Sequence, residues 1–430
     1  MAELPISTRK VTSLWVFSQW YPLNNVDYNG IFVQDQLRAL QILHPYNITV
    51  FSGKPFKLKI KGPFSLWRGL CSFYAKLKAV RPEFREDGLT VIIFPYLISG
   101  KTIPIWLHWL SYRLSYCWIM AQTYFSTLPQ PELLHAHTSY LDGSLAQWLS
   151  KRFKIPYLLT EHTGPFSLLL KHPLMKQVVH QTLKNASRVL AVSPHLAQDI
   201  LLQMNWSTLP QLKILPNGVD SSLFYLEPSA FTGETDPPTD ALPIRIVAIS
   251  SLDENKDPRT LLEVVKHLRQ RNIQFTLDWI GQGHMDSVLQ QWIQNEGLEA
   301  QVTLLNSLPR ATLAKHLQQR CDLLIHTSRY ESFGLAILES LACGKPVVCT
   351  QCGGPESILT EPFLGSLCPI GDVESLSQAV IDWASHPNRI RLQKRRSQWA
   401  LSRFSIEKLA SELNGLYQEL KMQTQKTESR

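Results

Sequence analysis

The sequence predicts an α/β protein built from two Rossmann-like, doubly wound domains that face a central cleft. Short apolar runs alternate with helical patterns in the first half of the chain, and the same alternation restarts after a stretch poor in apolar residues. A chain of 430 residues is also too long for one typical hydrophobic core. Because open α/β sheets bind ligands outside the carboxyl ends of their strands, the cleft is the expected ligand site.

The first predicted domain covers residues 1–225 and the second covers residues 244–404. Apolar runs in the first predict strands at residues 14–17, 48–51, 91–94, 133–135, 157–159 and 189–192. Residues 226–243 are rich in Pro, Thr and acids, which is typical of a linker. Apolar runs in the second predict strands at residues 244–249, 275–280, 302–305, 323–325 and 347–349. Residues 405–430 predict an amphipathic C-terminal helix, and composition leaves open whether it packs on the second domain or crosses back to the first.

Hydropathy and cysteine usage indicate a cytoplasmic protein. No stretch of eighteen uninterrupted apolar residues occurs, and residues 1–5 lack the charged lead of a signal peptide, so neither a spanning helix nor a secretory leader is expected. The seven cysteines are odd in number and scattered, which favours reduced thiols. Cys349 and Cys352 have the spacing of a redox or zinc pair, but without a second pair they are interpreted as buried thiols.

The formal net charge of +8 is concentrated in a basic segment at residues 54–78, where lysines alternate with aromatic and aliphatic residues. Such a segment suits peripheral contact with an anionic membrane, and it equally suits a solvated helix with one buried face. Both interpretations stay open. Nucleic acid is not an expected partner, because no nucleic-acid-binding module is recognisable.

The most informative motif places Glu331 and Glu339 eight positions apart around the start of an apolar helix, between predicted strands. At a rise of ~1.5 Å per residue the two acids lie at most about 12 Å apart. Carboxylates accept paired hydrogen bonds from sugar diols, and a helix N-terminus suits a phosphate. The spacing therefore indicates a site for a nucleotide sugar, in which each acid binds one of the two sugar rings. The alternative is that both acids belong to a solvated helix face.

Several phrases occur in an order that resembles the retaining family 4 glycosyltransferases of the GT-B fold, over nearly the whole chain. They are 30–33 (GIFV), 134–137 (LHAH), 161–163 (EHT), 192–194 (VSP), 216–220 (PNGVD), 279–283 (WIGQG), the acid pair itself and 353–356 (GGPE). The resemblance implies transfer of a sugar from a nucleoside diphosphate donor to an acceptor hydroxyl with retained configuration. It also implies no essential divalent metal and no separate cofactor.

By this resemblance, the catalytic residues are His162, Lys256 and Glu331. The donor-binding residues are Gly30, Ser251, Gly281, Ser332, Phe333, Gly334, Leu335 and Glu339. Lys256 would neutralise the diphosphate, Glu331 would bind a sugar hydroxyl, Glu339 the ribose, and His162 would face the donor. Ser251 stands where the family often has arginine, so either Lys256 acts with backbone amides or another basic group substitutes.

The start of the chain resembles enzymes of cell-surface polysaccharide assembly, so the expected acceptor is a sugar or a lipid-linked oligosaccharide. Two alternatives stay open, a nucleotide-sugar epimerase of similar fold and a non-catalytic partner subunit. A dinucleotide-dependent oxidoreductase is disfavoured, because the first strand lacks the glycines of the dinucleotide fingerprint and Gly281-Gln282-Gly283 is not followed by a third. The base, the sugar and the linkage depend on pocket shape and are not encoded in these motifs.

Overall fold

The computed structural model describes residues 11–23, 30–58, 62–98, 105–122, 128–227 and 243–428. Most of the predicted linker (228–242), residues 1–5, and Lys59 and Lys61 of the basic segment lie outside this range. The described residues form two α/β units. One comprises residues up to 191, 201–213 and from 410 onward, and the other comprises 192–200 and 214–409.

The first unit is built on a sheet in which β1 lies at the centre. In the described residues its strands are β1 (Thr12–Phe17), β2 (Tyr46–Lys57), β3 (Glu83–Phe84), β4 (Thr90–Ile98), β5 (Leu133–His137), β6 (Tyr157–Glu161), β7 (Arg188–Ala191) and β8 (Leu212–Ile214), in the order β3-β4-β2-β1-β5-β6-β7-β8. Pairing is parallel from β4 through β7, while β3 runs antiparallel to β4. The chain order reverses between β1 and β5, which makes their carboxyl ends a topological switch point.

The second sheet is parallel throughout and has its first strand at the centre. Its described strands are β9 (Ile244–Ile249), β10 (Phe275–Ile280), β11 (Val302–Leu305), β12 (Leu323–His326), β13 (Val347–Thr350) and β14 (Gly365–Cys368), in the order β11-β10-β9-β12-β13-β14. Here the order reverses between β9 and β12. Strands β12 and β13 are buried on both faces, which explains their nearly continuous apolar sequences.

Helices connect the strands of both sheets. They are α1 (Ile31–Leu43), α2 (Pro63–Lys78), α3 (Ile105–Met120), α4 (Leu141–Phe153), α5 (Pro173–Asn185), α6 (Pro194–Met204), α7 (Pro258–Gln270), α8 (Asp286–Asn295), α9 (Arg310–Arg320), α10 (Leu335–Ala342), α11 (Val373–Ala384), α12 (Gln393–Phe404) and α13 (Ile406–Glu428). Between β9 and α7, a single helical turn spans Glu254–Lys256. Helix α10 stays short because its C-cap, Cys343, leads into Gly344, whose φ of 79° lies in the left-handed region.

The predicted fold class is confirmed: two Rossmann-like α/β units. The C-terminal helix α13 joins the first unit from Ala410 onward, where Tyr417 is fully buried and its hydroxyl lies 2.7 Å from Nδ1 of His135 on β5. This contact answers the question that composition left open. Among the described residues, none of the helices combines the length and apolar content that crossing a membrane would require.

Candidate active site

An ion pair lies at the switch point of the second sheet. Nζ of Lys256, in the turn after β9, is 2.7 Å from Oε2 of Glu331, which follows β12. The two residues are 75 positions apart in sequence, and each side chain is 18% exposed. The fold thus brings together two of the three predicted catalytic residues.

Backbone contacts fix the position of Glu331. Its N–H donates to the carbonyl of Cys352 (2.8 Å), and its carbonyl accepts from the N–H of Gly354 (2.7 Å), which together form an isolated parallel bridge to the loop after β13. Nε2 of His326, the last residue of β12, lies 3.5 Å from the same carboxylate oxygen that Lys256 contacts. The hydroxyl of Ser328 lies 2.8 Å from that nitrogen. The carboxylate therefore has a fixed orientation.

Electrostatics keep this pair charged. Burial alone would raise the pKa of Glu331, but Lys256 and His326 outweigh burial and hold that pKa well below its ordinary value. Burial likewise opposes the charge of Lys256, yet the neighbouring Glu331 raises the pKa of the ammonium group. At neutral pH the site consequently contains a carboxylate and an ammonium group, and the ammonium has three N–H donors of which Glu331 uses one.

The segment Ser332 to Leu335 leads from Glu331 into α10. Gly334 is the N-cap residue, with φ 107° and ψ 57°, a left-handed conformation that side-chain-bearing residues rarely adopt. Phe333 is buried, and its backbone lies so close to Gly354 that a Cβ on that glycine would come within 2.4 Å of it. Leu335 is the first helical residue. The amides of a first helical turn have no intrahelical acceptor, so this end of α10 favours an anion.

Glu339 lies inside α10 and is 3% exposed. Nη1 of Arg310, the first residue of α9, is 2.7 Å from its Oε1. The Arg310 guanidinium also stacks over the ring of Phe224, 4.9 Å from the centroid. Glu339 therefore does not lie on a solvated helix face, and this excludes the alternative to a ligand-binding role that the sequence left open. Its arginine partner was not predicted from the sequence.

The turn that carries Lys256 is fixed by Asp253, whose side chain accepts hydrogen bonds from the N–H groups of Asn255 and Lys256. Ser251 donates its hydroxyl to the other oxygen of Asp253, 2.6 Å away. Gly281, after β10, has backbone so close to Ser250 that a Cβ would lie 1.8 Å from its carbonyl oxygen. Ser251 and Gly281 thus shape the backbone around Lys256, and donor contact by either one stays a prediction.

His162 belongs to the first unit, immediately after β6. Its Nε2 is 3.0 Å from Nδ1 of His137, the last residue of β5, and both rings are buried. Burial lowers the pKa of His162 well below 6.5 and that of His137 to about 3, so both imidazoles are neutral. Within the described part of the chain, His162 Nδ1 and His137 Nε2 have no hydrogen-bond partner.

Glu161 holds the backbone around this histidine pair. Its carboxylate accepts from the N–H groups of His162 (3.0 Å), Thr163 (2.9 Å) and Ser139 (2.8 Å), so it links the ends of β5 and β6. Gly30 is the N-cap of α1, with φ 73°, and a Cβ there would lie 2.0 Å from the carbonyl oxygen of Trp20. The backbone needs glycine at that position whether or not a ligand approaches it.

Several residues of these clusters were not among the predicted site residues, and they include Arg310, His326, Glu161 and His137. Each closely follows the end of a predicted strand: His326 by one residue, Glu161 and His137 by two, and Arg310 by five. What the sequence did not reveal is which strand ends are neighbours. In the described residues, no cluster of three or more His, Cys, Asp or Glu side chains has a geometry that could hold a metal ion.

Comparisons with known proteins agree with this architecture. The model of the family "Glycosyl transferases group 1" matches residues 237–400, and that of "Glycosyltransferase Family 4" matches residues 77–223. The chain is a GT-B glycosyltransferase. Its fold is similar to that of sucrose-phosphate synthase from Thermosynechococcus elongatus (TM-score 0.69, 20% identity, 95% of this chain and 99% of that one). The fold is also similar to that of Anabaena HepE in complex with UDP and glucose (TM-score 0.66, 17% identity, 95% of this chain and 100% of that one).

Curated relatives of this glycosyltransferase are remote in sequence. The putative teichuronic acid biosynthesis glycosyltransferase TuaC of Bacillus subtilis is 26% identical over 354 residues, 80% of this chain and 82% of TuaC. The N-acetyl-alpha-D-glucosaminyl L-malate synthase of Bacillus anthracis is 22% identical over 295 residues, 66% of this chain and 74% of the synthase. Identities this low show a common enzyme type and leave donor and acceptor open.

Proposed function

We propose that this glycosyltransferase moves a sugar from a nucleoside diphosphate to an acceptor hydroxyl with retention of the anomeric configuration. The observation that carries the proposal is the partly buried contact between Lys256 and Glu331 beside the first turn of α10. A carboxylate suits a sugar hydroxyl, while the ammonium group and the helix amides suit a diphosphate. HepE, whose fold is similar, was crystallised with UDP-glucose, which supports a nucleotide-sugar donor here.

In the proposed reaction, the bond between the anomeric carbon and the diphosphate oxygen breaks, and its electron pair leaves with the diphosphate. The acceptor oxygen forms the new bond from the same face, and its proton passes to a donor phosphate oxygen. Positive charge is needed where the leaving group gains negative charge, and Lys256 with the α10 amides supplies it. In the first unit, His162 has a neutral imidazole whose Nδ1 lacks a hydrogen-bond partner among the described residues, so it offers a hydrogen-bonding group rather than a second cation.

Glu339 and Arg310 form the proposed ribose end of the donor site. A carboxylate can accept from both hydroxyls of a diol, and the arginine contact fixes the orientation of that carboxylate before the donor arrives. No divalent metal and no separate cofactor take part in this proposal.

The cellular role and compartment of this reaction are part of the proposal, and they rest on a curated relative and on cysteine usage. TuaC is described as an enzyme of teichuronic acid biosynthesis, which supports a role here in surface polysaccharide or glycolipid assembly, with a sugar or lipid-linked acceptor. The seven free cysteines favour a reducing compartment. We therefore propose a cytoplasmic enzyme.

Thermal-shift screening with UDP-, GDP- and ADP-sugars tests the donor class. A true donor at 100 times its Kd should stabilise the native protein by about 2.7 kcal/mol, seen as a higher Tm. The selected donor is then incubated with a hydroxyl acceptor, and NMR of the glycoside reads the anomeric configuration. Inversion of that configuration would refute retention, and a failure of all donors to raise the Tm would refute the donor site. Donor interconversion without acceptor would instead indicate an epimerase.

A further inference from the structure

Helices α2 and α3 of the first unit expose aromatic side chains to solvent. On α2, Phe64 is 73% exposed, Trp67 66% and Tyr74 48%, and on α3, Trp106 is 49% and Trp118 42% exposed. The ring centroids of Tyr74 and Trp118 are 5.5 Å apart, so the exposed rings of the two helices meet. We call these five residues the aromatic face. Large aromatic side chains are normally buried, and a group of them in solvent marks an interaction surface.

The exposure follows from the helical spacing of α2. Positions 64, 67, 71, 74 and 78 recur every three or four residues and therefore lie along one stripe of the helix. The opposite side of α2 packs inward: Leu77 is buried, and Gly69 lies so close to Leu58 that a Cβ would come within 2.8 Å of its side chain. Helix α2 thus has two apolar sides, and only one of them contributes to the core.

Positive charge surrounds the aromatic face. Residues 54–82 contain eight Lys or Arg and no Asp or Glu, and residues 105–120 contain Arg113 and no acid. On α2 itself, Arg68 and Lys78 are exposed. Lys54 is less able to bind an external anion than these exposed cations, because its Nζ donates to the carbonyls of Gln19 (2.8 Å) and Tyr21 (2.6 Å). Arg68 and Lys78 are therefore the exposed cations of α2 on which the charge argument rests.

We propose that the aromatic face docks on the surface of an anionic phospholipid bilayer. Trp and Tyr rings enter the headgroup region, where an apolar body and a polar edge are both accommodated, while Arg and Lys bind the lipid phosphates. A second copy of this chain fits less well, because the same cations of two copies would be brought together. The proposal stands on the first unit alone and does not depend on which sugar is transferred.

Vesicle co-sedimentation of the full chain tests the charge requirement. Binding should be strong on vesicles with 30 mol % phosphatidylglycerol, weaker at higher salt, and lost on pure phosphatidylcholine. Arg68→Gln with Lys78→Gln should weaken binding about 25-fold, since each cation near an anionic surface contributes about fivefold. The matched control is Lys151→Gln with Arg152→Gln, two exposed cations on α4, which should bind like the wild type.

Substitution of the rings tests the apolar requirement. Trp67→Ser and Trp118→Ser should each weaken binding at least tenfold, because each removes a large apolar group from the interface. Ile42→Ser on α1 is the control, since Ile42 is 82% exposed but lies outside the aromatic face. All variants should keep the wild-type Tm, because their side chains contribute little to the core.

The native cysteines report the orientation of the docked protein. Cys71 and Cys117 are exposed on α2 and α3, whereas the five other cysteines are buried. Maleimide labelling of both should slow at least tenfold on anionic vesicles. A Cys71→Ser/Cys117→Ser/Ala300→Cys variant, with its thiol at an exposed position of the second unit, should label at the same rate with and without vesicles.

Three results would overturn the proposal. They are equal binding of the ring variants and the wild type, unchanged labelling of Cys71 and Cys117 in vesicle-bound protein, and protection of both thiols that rises with protein concentration without lipid. The last would assign the aromatic face to self-association. Sugar transfer to a water-soluble acceptor should be unchanged in the ring variants, so failure of the docking proposal can be told apart from failure of the proposed function.

Discussion

The two α/β units handle their buried polar groups in opposite ways. On or directly after strands β5 and β6 of the first unit lie three buried histidines, His135, His137 and His162, whose pKa values are all lowered by burial. In the second unit, two ion pairs, Lys256 with Glu331 and Arg310 with Glu339, lie in the turns and helices that follow strands β9, β11 and β12. The first unit thus has a cluster of neutral imidazoles, whereas the second has two pairs of opposite charges.

The difference has a simple electrostatic origin. An imidazole can give up its proton when it is removed from water, so burial converts the histidines to their neutral form. Lys256 and Glu331 avoid that outcome because each supplies the counter-charge of the other, and the attraction offsets the cost of desolvation. Charge is needed where a diphosphate departs, and the partly buried Lys256–Glu331 pair of the second unit retains it. Each prediction below tests one side of this contrast.

The largest effect should come from breaking the Lys256–Glu331 pair. Lys256→Met leaves a partly buried carboxylate without its cation, so it should destabilise the protein by about 3–5 kcal/mol and lower turnover at least ~10²-fold. Adding Glu331→Gln to Lys256→Met should restore most of the stability, because no isolated charge remains, but turnover should stay low. Chemical denaturation and initial rates on the same preparations measure both effects.

Lys266→Met is the matched control. Lys266 pairs with Glu263 and Glu296 on the surface of α7, so its loss should leave both stability and turnover close to those of the wild type. If the double variant regained activity together with stability, Lys256 and Glu331 would be a structural pair, and the proposed mechanism would lose its cation.

The histidines of the first unit should make stability depend on pH. Their unfolded pKa is near 6.5 and their folded pKa is lower, so below pH 6.5 the unfolded chain takes up protons that the folded chain does not. Each histidine that stays neutral therefore costs about 2 kcal/mol of stability between pH 7 and pH 5. Burial raises the pKa of Asp142 to about 7, and this carboxyl acts in the opposite direction over the same range.

A histidine variant separates these contributions. His162→Gln keeps a hydrogen-bonding side chain without a titrating ring, so it should lose about 2 kcal/mol less than the wild type over that interval. Urea titrations at pH 7 and pH 5 give the two free energies of unfolding. Glu331 does not interfere, because its lowered pKa affects stability only below about pH 4.5. Equal losses in both proteins would mean that His162 is protonated in the folded state, and the contrast between the units would fail.

The fold was predictable from sequence to the extent that its strands are apolar. Strands β9 and β10 coincide with the predicted ranges 244–249 and 275–280, where apolar residues predominate although Arg245 and Asp278 interrupt them, and β12 contains the apolar run 323–325. Strand β2 extends to Lys57, well past the predicted residues 48–51. The prediction ended too early because the later residues of the strand include Gly, Lys and Pro and do not form an apolar run. The two-residue strand β3, exposed at an edge, has no apolar signal at all.

The sequence allowed single candidate site residues to be selected, but it did not predict which of them are in contact. Lys256, Glu331 and Glu339 were selected from short motifs, because each motif has a recognisable local sequence. Their partners are set by the strand order, which brings together positions 75 apart for Lys256 and Glu331, and 29 apart for Arg310 and Glu339. Local patterns carry no information on such distances.

Arg310 offers the smallest and most specific test of the charged unit. Its guanidinium fixes the Glu339 carboxylate from one side and stacks on Phe224 on the other, so its proposed role is to orient the ribose-binding acid. Arg310→Gln keeps one hydrogen-bond donor but removes the charge and the stacking cation. The donor KM should rise about tenfold, which corresponds to about 1.4 kcal/mol, whereas kcat should change little because the contact is made equally before and during the reaction.

Arg320→Gln is the control, because Arg320 ends the same helix and is exposed. Competition by the free nucleoside diphosphate should weaken in parallel with the donor KM, while competition by the free sugar should not change, since Glu339 is assigned to the ribose. A variant that lowers kcat at unchanged KM would place Arg310 at the reacting bond instead, and the nucleotide end of the site would then have to be sought on another strand.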